Sequence, residues 1–87
     1  MLDRMQSSPS ERISALVRRI LANRGIDRAI GRDDDLTESG LSSLDTVNLM
    51  LAVEAEFDIK IADRDMTPAQ FRSVARIEAL VTAARND

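Results

Sequence analysis

The residues best placed to do chemistry lie in the run Gly40-Leu41-Ser42-Ser43-Leu44-Asp45. A glycine here precedes two hydroxyl groups at the predicted start of a helix. Helix N-termini present free backbone N–H groups and the positive end of the helix dipole, which suit an attached phosphate. Ser43 is therefore a candidate to bear a phosphate-linked group. On position alone, the simpler interpretation is that Ser43 is only a helix cap, because serine is a preferred N-cap residue.

The composition limits what this serine can do. The chain of 87 residues has no Cys and no His, so it has no thiol of its own and lacks the usual general base that activates a hydroxyl. We therefore expect no catalytic residue, no metal site and no enzymatic activity of the chain itself. The net charge of −3 and the two phenylalanines as sole aromatic residues argue against nucleic-acid binding.

The sequence predicts a soluble, monomeric protein without a membrane segment. No run approaches the roughly 20 apolar residues of a membrane span, and no export signal is apparent, so we expect a cytoplasmic location. Residues 1–7 are predicted to be a flexible polar lead, followed by one folded domain over residues 8–85.

The first predicted helix begins with the capping box Ser8-Pro9-Ser10-Glu11 and ends near Gly25. Its apolar stripe follows helical spacing and consists of Ile13, Leu16, Val17, Ile20 and Leu21. Residues 25–42 do not have a helical pattern and predict a connection longer than the usual loop of about 2–8 residues. We expect apolar side chains to hold this loop on the core, namely Ile26, Ile30, Leu36 and Leu41.

The central predicted helix runs from Ser43 to about Phe57, and either Ser42 or Ser43 can cap it. Its apolar residues form two arcs on a helical projection. The core arc consists of Thr46, Leu49, Met50, Val53 and Phe57. The second arc, Leu44, Val47 and Leu51, indicates either a helix buried on two sides or an exposed binding stripe, and we favour the stripe.

The remaining segments complete an all-α prediction. Residues 57–61 alternate apolar and charged side chains, as in a short extended exit. Thr67-Pro68-Ala69-Gln70 predicts a capping box and a short helix, and Ser73 should cap a last helix whose stripe runs from Val74 to Ala84. The predicted fold is a small bundle of three main helices and one short helix with a long first loop.

Charge is unevenly distributed along the chain. Residues 33–65 contain ten acidic and two basic residues, a net charge of −8, whereas the rest contains five acidic and ten basic residues, a net +5. Either a solvated surface or a basic partner for the middle of the chain would explain this block.

The segment from Asp35 to Leu49, Asp-Leu-Thr-Glu-Ser-Gly-Leu-Ser-Ser-Leu-Asp-Thr-Val-Asn-Leu, resembles the signature of acyl carrier proteins. These are small four-helix carriers whose motif is Asp-Ser-Leu. The resemblance continues through residues 54–61 and 71–74 and covers about residues 10–82. It implies an acyl-carrier-like bundle with Ser43 as the attachment site.

The resemblance also implies a mechanism. A separate phosphopantetheinyl transferase, using Mg²⁺, would move 4′-phosphopantetheine from coenzyme A to Ser43. The thiol of the arm would hold an acyl or aminoacyl group as a thioester for a loading ligase or synthetase and for downstream acyl-transfer enzymes. By analogy with the family, partners would contact the surface formed by Ser42, Leu44, Asp45, Val47, Leu51, Glu54 and Glu56.

Two departures from the family pattern indicate a specialised stand-alone carrier. Ser42 stands at the position of the motif aspartate, which removes one negative charge beside the attachment point. Asn48 stands where fatty-acid carriers often have an acid. Similar Ser-Ser-Leu motifs occur in carriers for amino acids, polyketides and peptides, and the sequence does not choose among these cargoes.

Other functions remain as alternatives. The chain could be a helical interaction module in which Ser43 is only a cap. A helix–turn–helix DNA binder is disfavoured by the acidic central helix. A calcium loop starting at Asp33 is rejected, because its sixth position is Glu38 instead of glycine and its twelfth is Leu44 instead of glutamate.

Overall fold

The computed structural model describes residues 8–85, so the predicted lead over residues 1–7 lies outside the described part. Four α-helices follow one another along the chain: α1 (Pro9–Ala22), α2 (Leu36–Ser39), α3 (Ser43–Phe57) and α4 (Val74–Arg85). Two 3₁₀ turns, Asp63–Asp65 and Pro68–Phe71, precede α4. The described residues contain helices and no strands, which confirms the predicted all-α class.

The helix α1 packs against both α3 and α4 and forms the centre of the bundle. The capping box predicted at its start is present, with Glu11 N donating to Ser8 Oγ and Ser8 N donating to Glu11 Oε1. The core is made of apolar side chains from every helix: Ile13, Leu16, Val17, Leu21, Leu36, Leu41, Leu49, Met50, Val53, Phe57, Ile61, Phe71, Val74, Ile77 and Val81. The predicted stripes therefore meet in one interior, with Ile20 and Leu80 only partly buried at its edge.

The connection between α1 and α3 differs from the prediction, because it contains the short helix α2. Asp35 caps this helix, since its side chain accepts hydrogen bonds from Thr37 N and Glu38 N. A four-residue helix does not form by itself, so its position depends on the burial of Leu36 and on the hydrogen bond from Leu36 N to Arg72 O (2.8 Å). The loop is thus fixed to the start of α4.

Two details of the second half are corrected. The short helix predicted at Pro68 is present as a 3₁₀ helix, Pro68–Phe71, but its predicted capping box is absent, since the Thr67 side chain makes no cap and the Thr67 carbonyl accepts from Gln70 N. An additional 3₁₀ turn at Asp63–Asp65 was not predicted. The prediction for Ser73 is confirmed, since its Oγ accepts from Arg76 N at the start of α4.

The segment that leaves α3 is held by a side chain of that helix. Asp58 takes a left-handed conformation and ends the helix. Ile61 N, three residues later, donates to Glu54 Oε2 at 2.8 Å, and the Ile61 side chain is buried. None of the helices within residues 8–85 has the length and apolar character required to cross a membrane.

Candidate functional site

The start of α3 carries the site predicted from the sequence. Ser42 is the N-cap residue, because its Oγ accepts from Asp45 N (3.1 Å) and Asp45 Oδ2 accepts from Ser42 N (3.0 Å). The sequence left open which of the two serines is the cap, and the structure assigns this role to Ser42. The interpretation of Ser43 as only a cap is therefore wrong.

Ser43 is the first residue of α3, and its side chain is exposed. Its hydroxyl makes no hydrogen bond with another residue in the 8–85 range, and the N–H groups of Ser43 and Leu44 likewise have no acceptor there. Free N–H groups at a helix start are suited to phosphate oxygens. A phosphodiester at Ser43 Oγ is therefore compatible with the local geometry.

Arg24, two residues beyond the end of α1, reinforces the start of α3. Its Nε forms an ion pair with Asp45 Oδ2, and its second guanidinium nitrogen, Nη2, donates to Ser42 Oγ at 3.2 Å. Helical periodicity does not predict this contact, because it joins a residue that follows α1 to the N-cap and first turn of α3. The cap of α3 is thus tied to α1.

Asp45 is 5% exposed, so its carboxylate is not a free charge on the surface. The expectation that Asp45 offers an electrostatic contact to partners is corrected, because its carboxylate is part of the cap. The hydrogen bond from Ser42 N, assisted by Arg24, holds the pKa of Asp45 below its ordinary value.

Acid should therefore weaken the fold through Asp45. A carboxyl whose pKa is depressed in the folded state stabilises the protein above its unfolded pKa, about 3.9, and this contribution disappears as the pH falls through the folded pKa. We expect Asp45→Asn to lower the denaturation midpoint at pH 7 and to show a smaller further loss on acidification. Urea denaturation followed by circular dichroism from pH 7 down to pH 2 measures both effects.

Asp63→Asn is the matched control, because Asp63 is exposed in a 3₁₀ turn. This variant should keep both the midpoint of the parent protein and its acid dependence. Parallel acid curves for Asp45→Asn and the parent protein would contradict the role given to Asp45.

The other two predicted docking acids also have partners within the chain. Glu54, which the resemblance places in the partner surface, is half-buried, and its Oε2 accepts a hydrogen bond from Ile61 N. Glu56 pairs with Arg12, whose guanidinium also lies 4.4 Å from the centre of the Phe57 ring. Ion pairs thus hold both ends of α3: Arg24–Asp45 at its start and Arg12–Glu56 at its end.

The apolar docking residues are placed as predicted. Leu44, Val47 and Leu51 are 66%, 48% and 57% exposed, so they form a continuous apolar stripe on the outer face of α3. The stripe begins at the residue next to Ser43. Beside it, a cavity of about 280 Å³ includes Ser43 in its lining, together with Thr37, Thr46, Val47, Met50, Met66 and Pro68.

A family model described as "Phosphopantetheine attachment site" matches residues 11–81, which include α1 to α4 except for two residues at the start of α1 and the last turn of α4. The chain belongs to this family. It is a phosphopantetheine-dependent carrier protein, and the family model covers the serine, its cap and the apolar stripe within a single match.

The chain is also similar in sequence to individual aminoacyl carrier proteins. The carrier is 43% identical over 70 residues to aminoacyl carrier protein 1 of Bradyrhizobium diazoefficiens, a match that covers 80% of this chain and 78% of the relative. It is 38% identical over 74 residues to the aminoacyl carrier protein of Agrobacterium fabrum, covering 79% and 88% of the two chains.

Solved structures agree in fold. The carrier resembles a chain in a crystal structure of Bradyrhizobium japonicum glycine:[carrier protein] ligase complexed with its cognate carrier protein and an analogue of glycyl adenylate. The TM-score is 0.79 at 35% identity, covering 86% of this carrier and 96% of that chain. A structure of the same ligase, engineered and complexed with a carrier protein from Agrobacterium tumefaciens and ATP, gives a TM-score of 0.66 at 36% identity, covering 82% and 97%.

Proposed function

We propose that this carrier holds an amino acid as a thioester on 4′-phosphopantetheine attached to Ser43. The aminoacyl cargo is inferred from the relatives named aminoacyl carrier proteins and from the likeness to a structure containing a glycine:[carrier protein] ligase. The partner that loads the carrier would accordingly be an ATP-dependent amino acid ligase, and glycine is the first cargo to test.

The observation that carries the proposal is the free hydroxyl of Ser43. Ser42 meets the capping requirement of α3, so the hydroxyl of Ser43 has no structural task within residues 8–85. It is exposed at a helix N-terminus whose unused N–H groups would stabilise the negative charge of a phosphodiester. A separate transferase, using Mg²⁺ and coenzyme A, would form this bond and release adenosine 3′,5′-bisphosphate, because the chain lacks the histidine that usually activates a serine.

The prosthetic group supplies the thiol that the sequence lacks. The residues of the carrier would hold the phosphate end of the arm at the start of α3. The apolar cavity beside Ser43 would receive part of the arm and exclude water from it, because its lining includes Val47, Met50 and Met66. Since coenzyme A is the donor of the arm, we propose that the carrier acts in the cytoplasm.

The stripe of Leu44, Val47 and Leu51 is the proposed contact surface for partner enzymes. It is exposed and apolar, and it leads directly from Ser43 along α3. Ser42 and Asp45 would support this surface by fixing the start of α3. Glu54 and Glu56 would support it by fixing the end of α3. Partners of a carrier must release it, and a narrow apolar stripe is consistent with such transient binding.

The proposal is tested by intact-protein mass spectrometry in two steps. The apoprotein is incubated with coenzyme A, Mg²⁺ and a broad-specificity phosphopantetheinyl transferase, and then with ATP, glycine and the Bradyrhizobium japonicum ligase. We expect one phosphopantetheinyl group, followed by one glycyl group that hydroxylamine removes, as it removes thioesters. Absence of the first addition would favour a helical interaction module, and absence of the second would refute the glycine cargo.

A further inference from the structure

The turn after α1 packs against the segment that leads to Ser43. Leu21 O accepts hydrogen bonds from both Arg24 N and Ile26 N at 2.9 Å, so the backbone of this turn is fixed to a buried residue of α1. Gly40 lies against the same turn with a φ of +128°, and a Cβ atom at this position would lie 2.8 Å from Ile26 Cδ1. Glycine suits the position on both counts, and the segment before Ser43 thereby lies directly beside the end of α1.

Arg24 makes the polar part of this junction and contacts the chain on both sides of Ser43. Its Nε pairs with Asp45 Oδ2, and its Nη2 donates to Ser42 Oγ at 3.2 Å. The same two acceptors also close the cap of α3, because Asp45 N donates to Ser42 Oγ and Ser42 N donates to Asp45 Oδ2. A guanidinium can hold both acceptors at once because its N–H donors form a planar fork.

Ser43 thus lies within a closed set of hydrogen bonds in which its own side chain takes no part. Ser42 and Asp45 fix the backbone before and after it, whereas the Ser43 hydroxyl is exposed and makes no hydrogen bond within residues 8–85. Asp45 is only 5% exposed, and without Arg24 its carboxylate would have no cationic partner among these residues. A buried carboxylate that loses its cation is strongly destabilised, so the position of this first turn depends on Arg24.

We propose that Arg24 is a positioning residue for the attachment of 4′-phosphopantetheine. By fixing Ser42 and Asp45, it sets the direction in which the Ser43 hydroxyl meets the coenzyme A bound to the transferase. This inference rests on the proposed attachment at Ser43 and is independent of the cargo.

The attachment step explains why orientation matters. Ser43 Oγ bonds to the phosphorus next to pantetheine, adenosine 3′,5′-bisphosphate leaves with the electrons of the broken P–O bond, and the hydroxyl proton passes to a base of the transferase. Such a displacement needs the entering oxygen in line with the leaving group, so a small rotation of Ser43 slows it.

Arg24→Gln tests this role, because glutamine removes the charge and cannot hold both acceptors. We expect the kcat for attachment to fall about tenfold, since Ser43 loses its fixed orientation. The KM for the carrier should stay within about twofold of the parent value, since the apolar stripe of α3 is unchanged. Initial rates are measured by intact-protein mass spectrometry with the apoprotein, coenzyme A, Mg²⁺ and a broad-specificity transferase over a range of carrier concentrations.

The conservative variant Arg24→Lys should recover part of the loss. An ammonium group keeps the ion pair with Asp45 but cannot also hold Ser42 in the same fork, so we expect a kcat about threefold below that of the parent protein. Circular dichroism at the assay temperature verifies that each variant is folded.

Arg32→Gln is the matched control, because Arg32 makes the same kind of bridge elsewhere in the fold. Its guanidinium donates to Ser10 Oγ and pairs with Glu78, and its side chain is 55% exposed, against 45% for Arg24. Ser10 lies at the opposite end of α1 from Arg24. The control variant therefore loses an ion pair without disturbing the start of α3, and its kcat and KM should stay within about twofold of the parent values.

Three results would overturn the inference: an unchanged kcat for Arg24→Gln, a raised KM without loss of kcat, or an equal loss of kcat in Arg32→Gln. The second would mean that Arg24 contacts the transferase, and the third that loss of any ion pair has the same effect. If Arg24→Gln does not fold, Arg24→Lys decides, and a kcat equal to that of the parent protein would refute the positioning role. If the parent protein itself acquires no arm, the attachment at Ser43 fails and this inference fails with it.

Discussion

Ser43→Ala should remain folded and should lose all attachment of phosphopantetheine. We expect a complete loss, because the Ser43 hydroxyl is the proposed attachment point and the neighbouring hydroxyl of Ser42 is engaged in the helix cap. The fold should persist, since the Ser43 side chain is exposed and makes no hydrogen bond within residues 8–85. Intact mass after incubation with coenzyme A and a transferase measures the attachment, and thermal denaturation measures the fold.

The adjacent serine is the matched control for this result. Ser42→Ala removes the side-chain acceptor of Asp45 N and should lower the free energy of unfolding by about 1 kcal/mol, a typical value for loss of an N-cap. The variant should still acquire the arm at Ser43. A mass increase in Ser43→Ala, or a peptide map that locates the arm on Ser42, would refute the assignment.

Leu49→Asp should unfold the domain at room temperature. Leu49 is 0% exposed, and the loss of a buried leucine costs about 2–5 kcal/mol before the cost of placing a carboxyl group in the interior is added. The total stability expected for a domain of this length is only about 4–13 kcal/mol. Far-ultraviolet circular dichroism and a denaturation curve measure the loss of helix.

Leu51→Asp is the control that separates the two faces of α3. Leu51 is 57% exposed and lies only two residues from Leu49, so the same substitution should leave the helix content and the melting transition almost unchanged. It should instead weaken loading by the ligase, because a charge is then placed in the proposed apolar contact. A folded Leu49→Asp or an unfolded Leu51→Asp would show that the two arcs have been assigned to the wrong faces.

The start of α3 carries less free negative charge than the sequence suggests. The motif aspartate of the family is replaced by Ser42, and the remaining acid of the site, Asp45, is neutralised by Arg24. The exposed apolar stripe of Leu44, Val47 and Leu51 therefore begins directly beside this neutralised start of α3.

Features that depend on residues close together in the chain were predictable before the fold was known. The capping box at Ser8 predicted the start of α1, and the period of the apolar residues separated the buried Leu49 from the exposed Leu51. The motif around Ser43 led to the family, because it is a short run of residues at the start of one helix and is therefore also a local feature. These features need no knowledge of which distant residues meet.

Features that depend on contacts between residues far apart in the chain could be read only from the fold. The hydrogen bond from Leu36 N to Arg72 O supports a helix too short to form alone, and the Arg12–Glu56 and Arg24–Asp45 pairs neutralise acids that the sequence presents as free. The choice of Ser42 over Ser43 as the cap also depends on backbone angles that both serines can adopt. Such contacts follow from how helices pack against each other, and neither composition nor helical period encodes that arrangement, so only the folded chain reveals them.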